Sequence, residues 1–326
     1  MFDDAVILVT GGTGSFGNTF VETVLKNYRP RKLIVFSRDE FKQHQMRTNG
    51  FNQECMRYFL GDVRERDRLW RALDGVDYVV HTAALKQVPA CEYNPIEAIK
   101  TNVLGAANLI EAAIDRNVKK VIALSTDKAA APINLYGASK LCADKLFIAG
   151  NSYAGLHETR FAVVRYGNVV GSRGSVIPLF LESRATGVLP ITDVRMTRFW
   201  LTLEQAVRFV LQCLERMEGG EVFVPKIPSM KLLELAKAIG PECRLQIVGI
   251  RPGEKLHEVL IPEEEARNTV EFPDHYVVLP MFDPVVSQRY RNRGEGKPCA
   301  EGFQYSSDRN NRWLSAEELR AMLGLC

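Results

Sequence analysis

The chain is 326 residues long, with 42 basic and 39 acidic side chains and a formal net charge of +3. A chain of this length buries a substantial core and reads as one compact unit of two lobes. Its even charge balance, with no block of like sign, argues against nucleic acid as a partner.

The start, Met1-Phe2-Asp3-Asp4, lacks the basic flank of a signal peptide, and no run of about 18 apolar residues is present to span a membrane. Cys55, Cys91, Cys142, Cys213, Cys243, Cys299 and Cys326 form an odd set without CxxC spacing. They predict a reducing cytoplasm rather than a disulfide framework or a zinc site.

In chain order, short apolar runs fall at Ala5–Val9, Lys32–Phe36, Tyr58–Leu60, Tyr78–Val80, Val118–Leu124 and Phe161–Val164. The intervening segments have helical length and polarity. This alternation predicts an α/β fold with a doubly wound parallel sheet covered on both faces. After about residue 170 the rhythm loosens. Helices are expected at Val176–Arg184, Leu203–Met217 and Met230–Ile239, with strands at Glu221–Val224 and Leu245–Ile247. The division expected is residues 1–170 mainly for a dinucleotide and 171–326 mainly a smaller substrate-binding lobe, with segments exchanged between them.

The first loop, Gly11-Gly12-Thr13-Gly14-Ser15-Phe16-Gly17, follows a strand and opens a helix. Gly11 suits the tight turn, Gly14 the close approach of a pyrophosphate and Gly17 the packing of helix on strand. The helix N-terminus favours the anion. This is a Rossmann-type arrangement, and no Gly-Lys-Ser or Gly-Lys-Thr follows to make a P-loop. The next strand ends at Ser37-Arg38, followed by Asp39, Glu40 and Lys42. A hydroxyl and a guanidinium suit the extra phosphate of NADP, with Lys42 adding charge, whereas Asp39 and Glu40 leave ordinary helix capping open. Asp62-Val63 reads as an adenine contact or as a helix cap.

Tyr136 and Lys140 lie four residues apart, on one face of a helix. An ammonium beside the phenol would favour phenolate and make Tyr136 a base. Ser125-Thr126-Asp127-Lys128 places an acid and an amine just upstream. His81-Thr82-Ala83-Ala84 ends a strand, with His81 structural and Ala83 small enough for cofactor approach. Lys86 reads as a phosphate contact or a surface lysine. Asn102, in a helix expected over 94–115, would organise a buried polar network or face solvent. No metal site is expected.

Together these residues resemble the extended short-chain dehydrogenase/reductase family, along nearly the whole chain. The nearer likeness is to the inverting UDP-N-acetylglucosamine 4,6-dehydratases that begin pseudaminic acid biosynthesis. It rests on the glycine loop, Phe36–Asp39, Ala84–Pro89, Leu124–Ala129 and Arg251-Pro252-Gly253-Glu254-Lys255. The resemblance implies NADP as cofactor, UDP-N-acetylglucosamine as substrate and a homo-oligomer such as a hexamer. It implies that Tyr136 helps remove the C4 hydroxyl proton as hydride leaves C4, that Thr126 contacts the C4 oxygen, and that Asp127 and Lys128 handle elimination. Asn168, within Arg165–Gly171, is expected at the nucleotide sugar. Arg173, Arg195, Arg198 and Arg251 are candidates for the diphosphate, with Glu254 and Glu258 beside Arg251.

The chemistry makes one demand. Once C4 is a ketone, Lys128 must be neutral to take the C5 proton and Asp127 protonated to help the C6 oxygen leave. Burial and nearby Lys140 would lower the proton affinity of Lys128, and a charged Asp127 would raise it. A 4-epimerase, returning hydride to C4, and a non-catalytic NADP-sensing scaffold are the alternatives.

Overall fold

The computed structural model describes residues 1–171, 176–292, 294 and 296–324. Arg173 and Cys326 fall outside the described residues. Six strands form the first half of the sheet: β1 (Val6–Thr10), β2 (Lys32–Ser37), β3 (Met56–Leu60), β4 (Tyr78–His81), β5 (Lys120–Leu124) and β6 (Arg160–Val164). They are parallel and run in the order β3-β2-β1-β4-β5-β6. This order reverses between β1 and β4, and such a reversal opens a ligand crevice at the carboxyl ends of the strands. The strands other than β3, which lies at the sheet edge, are mostly buried, which is why the sequence shows apolar runs rather than alternation.

The helices of this half are α1 (Ser15–Asn27), α2 (Glu40–Thr48), α3 (Arg66–Ala72), α4 (Val88–Tyr93), α5 (Pro95–Ile99), α6 (Gly105–Asp115) and α7 (Leu135–Tyr153). The single helix expected over 94–115 is therefore broken. Asn94 leaves helical geometry at φ −121 and ψ 63, Pro95 starts a new helix, and Lys100–Leu104 forms one π-helical turn. Proline lacks the N–H that would continue the earlier helix, and π turns commonly serve to aim a side chain. Here the turn carries Asn102.

Beyond residue 170 come α8 (Val176–Arg184), α9 (Leu203–Arg216), α10 (Leu232–Ile239), α11 (Pro284–Asn292) and α12 (Ala316–Leu323). Four strands from this region join the main sheet: β10 (Val222–Pro225), parallel to β6, then β15 (His275–Val278), β14 (Thr269–Glu271) and β16 (Lys297–Pro298). The late part of the chain thus contributes to the sheet as well as to a second core. The strand expected at Glu221–Val224 extends the sheet, pairing parallel to β6 after α9, which packs against α1 and β5.

Short strands β7 (Asn168–Val169), β8 (Val188–Ile191), β9 (Thr197–Leu201), β11 (Ser229–Lys231), β12 (Arg244–Ile247), β13 (Val259–Ile261) and β17 (Tyr305–Ser306) pair in three small sheets. A separate core of Phe180, Met196, Trp200, Leu235 and their neighbours supports part of this region. Met196, Phe199 and Trp200 are all buried, so they pack rather than contact sugar. Among the described residues, no helix is long and apolar enough to cross a membrane.

Candidate active site

The crevice at the β1/β4 reversal opens into a cleft of about 1060 Å³, more than a single drug-sized ligand requires. One end is built from Gly11, Thr13, Gly14, Ser15, Phe16, Gly17, Ser37, Arg38, Lys42, Asp62, Val63 and Ala83. The same cleft is lined by Lys86, Thr126, Asp127, Lys128, Tyr136 and Lys140, and by Asn168, Arg251, Glu254 and Glu258. Residues more than 240 positions apart therefore share one wall.

Arg195 is not among them. Its guanidinium makes two bonds to Asp193, at 2.8 and 3.0 Å, and its side chain is 67% exposed. Arg198, also a candidate and carried by β9, does line the cleft.

The glycine loop fits a dinucleotide. Gly11 has φ +63, and a Cβ there would lie 2.9 Å from the Ala83 backbone. At Gly17 a Cβ would strike the Gly12 carbonyl, whereas at Gly14 it would meet only the Gly11 oxygen, at 3.3 Å, and would project into the cradle. Gly14 thus keeps space clear for an anion at the start of the 13-residue α1. Thr13 and Ser37 share a hydrogen bond of 3.0 Å below the loop. Arg38 is 59% exposed at the rim, 3.5 Å from Asp62. Asp39 caps α2 through the Lys42 N–H at 3.0 Å and pairs with its ammonium at 2.8 Å. The capping alternative for Asp39 therefore holds.

The reacting centre follows β5. Asp127 Oδ1 is 2.9 Å from Lys128 Nζ and 3.0 Å from Thr126 Oγ1. Its other oxygen is buried with no hydrogen-bond partner among the described residues. Lys128 is also 3.5 Å from Glu258. Burial disfavours the Lys128 ammonium, but Asp127 and Glu258 outweigh it and hold the amine above its ordinary proton affinity. The expected lowering by burial and Lys140 is thus reversed. Two carboxylates close to one ammonium win over the loss of water.

Burial pushes the Tyr136 phenol up to about 12, with Lys128 and Thr126 pulling the other way. The cation that most favours phenolate is therefore Lys128. Lys140, buried and lowered in proton affinity for that reason, has Asp144 as its opposing charge, one turn further along α7. Asp144 accepts from Ser125 Oγ at 2.6 Å and lies 3.8 Å from Arg165, which in turn binds Glu265 at 2.7 Å. This buried network was not read from the sequence, although Lys140 and Asp144 have same-face helical spacing.

Two further contacts set the geometry. Asn102 accepts from the Leu85 N–H at 2.8 Å and donates to the Leu85 carbonyl and Ser139 Oγ, which makes it the buried organiser and not a solvent-facing residue. Asn134 caps α7 through the Gly137 N–H at 2.8 Å and donates to the Gly253 carbonyl at 2.7 Å. It thereby ties the Arg251–Lys255 loop to the catalytic helix. An asparagine directly before a helix is a legible cap signal that sequence reading passed over. Replacing Asn134 with alanine is expected to lower stability by about 1 kcal/mol in urea unfolding; an unchanged midpoint would show the cap to be dispensable.

His81 is buried, bonded to Thr10 at 2.8 Å, and held down to about 3 by burial, as suits a structural histidine. Among the described residues there is no cluster of three potential metal ligands.

A family model described as "Polysaccharide biosynthesis protein" matches residues 7–280. The chain belongs to that polysaccharide biosynthesis family. It is 54% identical over 325 residues to the UDP-N-acetylglucosamine 4,6-dehydratase (inverting) of Campylobacter jejuni subsp. jejuni serotype O:23/36 (strain 81-176), covering 98% of this chain and 97% of that protein. Similarity to the UDP-glucose 4-epimerase of Rickettsia canadensis (strain McKiel) is lower, 42% over 332 residues, covering 99% and 96%. Among solved structures, Pen from Bacillus thuringiensis superposes with a TM-score of 0.91 at 37% identity, covering 99% of this chain and 98% of that one. A DesIV double mutant (dTDP-glucose 4,6-dehydratase) from Streptomyces venezuelae, with NAD and DAU bound, gives 0.67 at 25% identity over 77% and 86%. The resemblance to short-chain dehydrogenase/reductase enzymes is thereby confirmed, and the glycine cradle of this family member suits a nicotinamide dinucleotide.

Proposed function

We propose that the protein catalyses C5-inverting 4,6-dehydration of UDP-N-acetylglucosamine, forming a UDP-4-keto-6-deoxy-L-arabino-hexosamine. The observation that carries this reading is the contact between Asp127 and Lys128, 2.9 Å apart in the same cleft as Tyr136. An acid and an amine side by side are what β-elimination needs and what simple epimerisation does not use.

When bound, the nicotinamide supplies the oxidation of C4 and the later reduction at C6. Tyr136 takes the C4 hydroxyl proton, and Thr126 contacts the C4 oxygen. The ketone then delocalises charge formed at C5, so Lys128 can remove that proton while Asp127 protonates the departing C6 oxygen as water; once C6 is reduced, a proton added at C5 from the opposite face completes the inverted product. Lys140 and Ala83 belong to the cofactor side. Lys86, Asn168, Arg251 and Glu254 are assigned to the nucleotide sugar, Arg251 and Lys86 through charge-assisted bonds to its diphosphate. Arg173 and Arg195 were assigned there by sequence; the Asp193 pair makes Arg195 a weaker choice.

Incubation with UDP-N-acetylglucosamine in deuterated water tests the reading. Dehydration removes about 18 Da and labels C5, whereas a 4-epimerase leaves the mass unchanged. An epimer as sole product would reject dehydration in favour of that second reading.

For the cofactor we infer NADP over NAD, supported by the exposed Arg38 with Ser37 and Lys42 nearby. Arg38→Ala is expected to weaken NADP about tenfold relative to NAD, the loss of one charge-assisted bond. Calorimetric titration with both cofactors checks this, and an unchanged ratio would remove Arg38 from phosphate recognition. The same family likeness supports entry of the product into pseudaminic acid biosynthesis and a cytoplasmic homo-oligomer such as a hexamer.

A further inference from the structure

Glu258 was expected at the nucleotide sugar, yet its carboxylate lies against the base. Its side chain is 3% exposed, and Oε1 is 3.5 Å from Lys128 Nζ and 3.6 Å from Arg198 Nε. Oε2 is buried and has no hydrogen-bond partner among the described residues. The backbone beneath it is fastened on both sides: the Glu258 N–H donates to Ser307 Oγ at 2.9 Å, and its carbonyl accepts from the Ser307 N–H at 2.8 Å. Arg198 is fastened too, donating to the carbonyls of Thr197, Lys255 and Leu256. The Arg198 guanidinium is thus held by three carbonyls and the Glu258 backbone by Ser307.

Building on the dehydratase reading, we propose that Glu258, held by Arg198, is a positioning residue for Lys128: it fixes the ammonium against Asp127 and, with Arg198, sets how readily that proton passes to Asp127. The proton crosses an existing hydrogen bond whose heavy atoms, Lys128 Nζ and Asp127 Oδ1, are 2.9 Å apart. An N–H bond breaks, an O–H bond forms, and the pair keeps zero net charge. The outcome is a neutral amine and a protonated carboxyl, the two states that elimination requires. After elimination Lys128 carries the C5 proton and Asp127 has given up its own, so the ion pair is restored without solvent.

The charges around Lys128 set the balance. Asp127 and Glu258 favour the ammonium, and Arg198 opposes it. Lys86 and Lys255 add positive charge from the β4–α4 loop and from the segment before Glu258, and Tyr136 faces it from α7. Removing Glu258 and removing Arg198 should therefore act in opposite directions. A cleft merely loosened by mutation would not produce that pattern.

The test is acetylation of Lys128 by acetic anhydride in the full chain at about pH 9, where reactivity follows the free-amine fraction. Peptide mass spectrometry reads it against exposed Lys145 in the same sample. Glu258→Gln keeps the shape and removes the charge, and is expected to raise Lys128 labelling about tenfold, one unit of proton affinity. Arg198→Met is expected to lower it, and Glu258→Asp to restore the original rate. In turnover, Glu258→Gln should change kcat and leave KM for UDP-N-acetylglucosamine unaltered. Equal labelling in the parent and a folded Glu258→Gln protein overturns the proposal, and a raised KM alongside it would make Glu258 a sugar contact. Absence of dehydration by the parent protein would defeat the functional reading instead, and the labelling comparison would stand apart from it.

Discussion

Lys128→Met is expected to abolish dehydration, with turnover down roughly 10³-fold and no deuterium entering C5 from solvent, the scale typical of losing a general base. The methionine chain occupies nearly the same space, so the fold and cofactor affinity should persist. One complication is electrostatic. With the ammonium gone, Asp127 and Glu258 face each other's charge across a cleft where Lys128 had paired with both. Turnover should not recover, because neither carboxyl replaces the amine as a base for C5. Full turnover with C5 labelling would assign that role elsewhere, and circular dichroism with cofactor titration separates lost chemistry from lost fold.

Gly137→Ala is expected to be nearly as damaging, although glycine has no chemistry. A Cβ at this position would overlap the backbone carbonyl of Lys128, and Pro132 lies 3.1 Å away. The obstacle is backbone, so it cannot rotate aside as a side chain would. α7 is a 19-residue helix capped by Asn134 and packed on β6, which leaves the catalytic loop to move. Overpacking of this kind costs about 1–3 kcal/mol of stability. A displacement of the order of 1 Å at the reacting groups lowers kcat about 100-fold. Steady-state kinetics and urea unfolding on the same sample read both effects. A variant with the parent's kcat would show that the close approach of α7 to the loop does not position Lys128.

Both results depend on contacts that differ in how visible they were beforehand. The pairing of Tyr136 with Lys140 was readable from helical spacing, and the glycine loop from its place between a buried strand and a helix. Their partners were harder. Lys140 answers to Asp144 rather than to the phenol, and the cation nearest in effect to Tyr136 comes from the loop before α7. Arg195 and Arg198 are three residues apart and indistinguishable as candidates. One is captured by Asp193 at the surface, and the other is turned into the cleft by β9. Pattern also merged α5, the π turn and α6 into one helix, since apolar spacing hardly registers a break made by Asn94 and Pro95.

Short-range chemistry was therefore legible in the residues: the parallel-sheet rhythm, the anion cradle, and Asp127 beside Lys128, all of which depend on neighbours a few positions away. The protonation of that lysine was decided by folding. Beside Asp127 stand Glu258, which favours the ammonium, and Arg198, which opposes it, 3.6 Å from each other and from separate segments far along the chain. Coulomb interaction falls with distance through space and takes no account of distance along the backbone, so a residue 130 positions away joins the adjacent Asp127 in outweighing the burial that local context would lead one to expect.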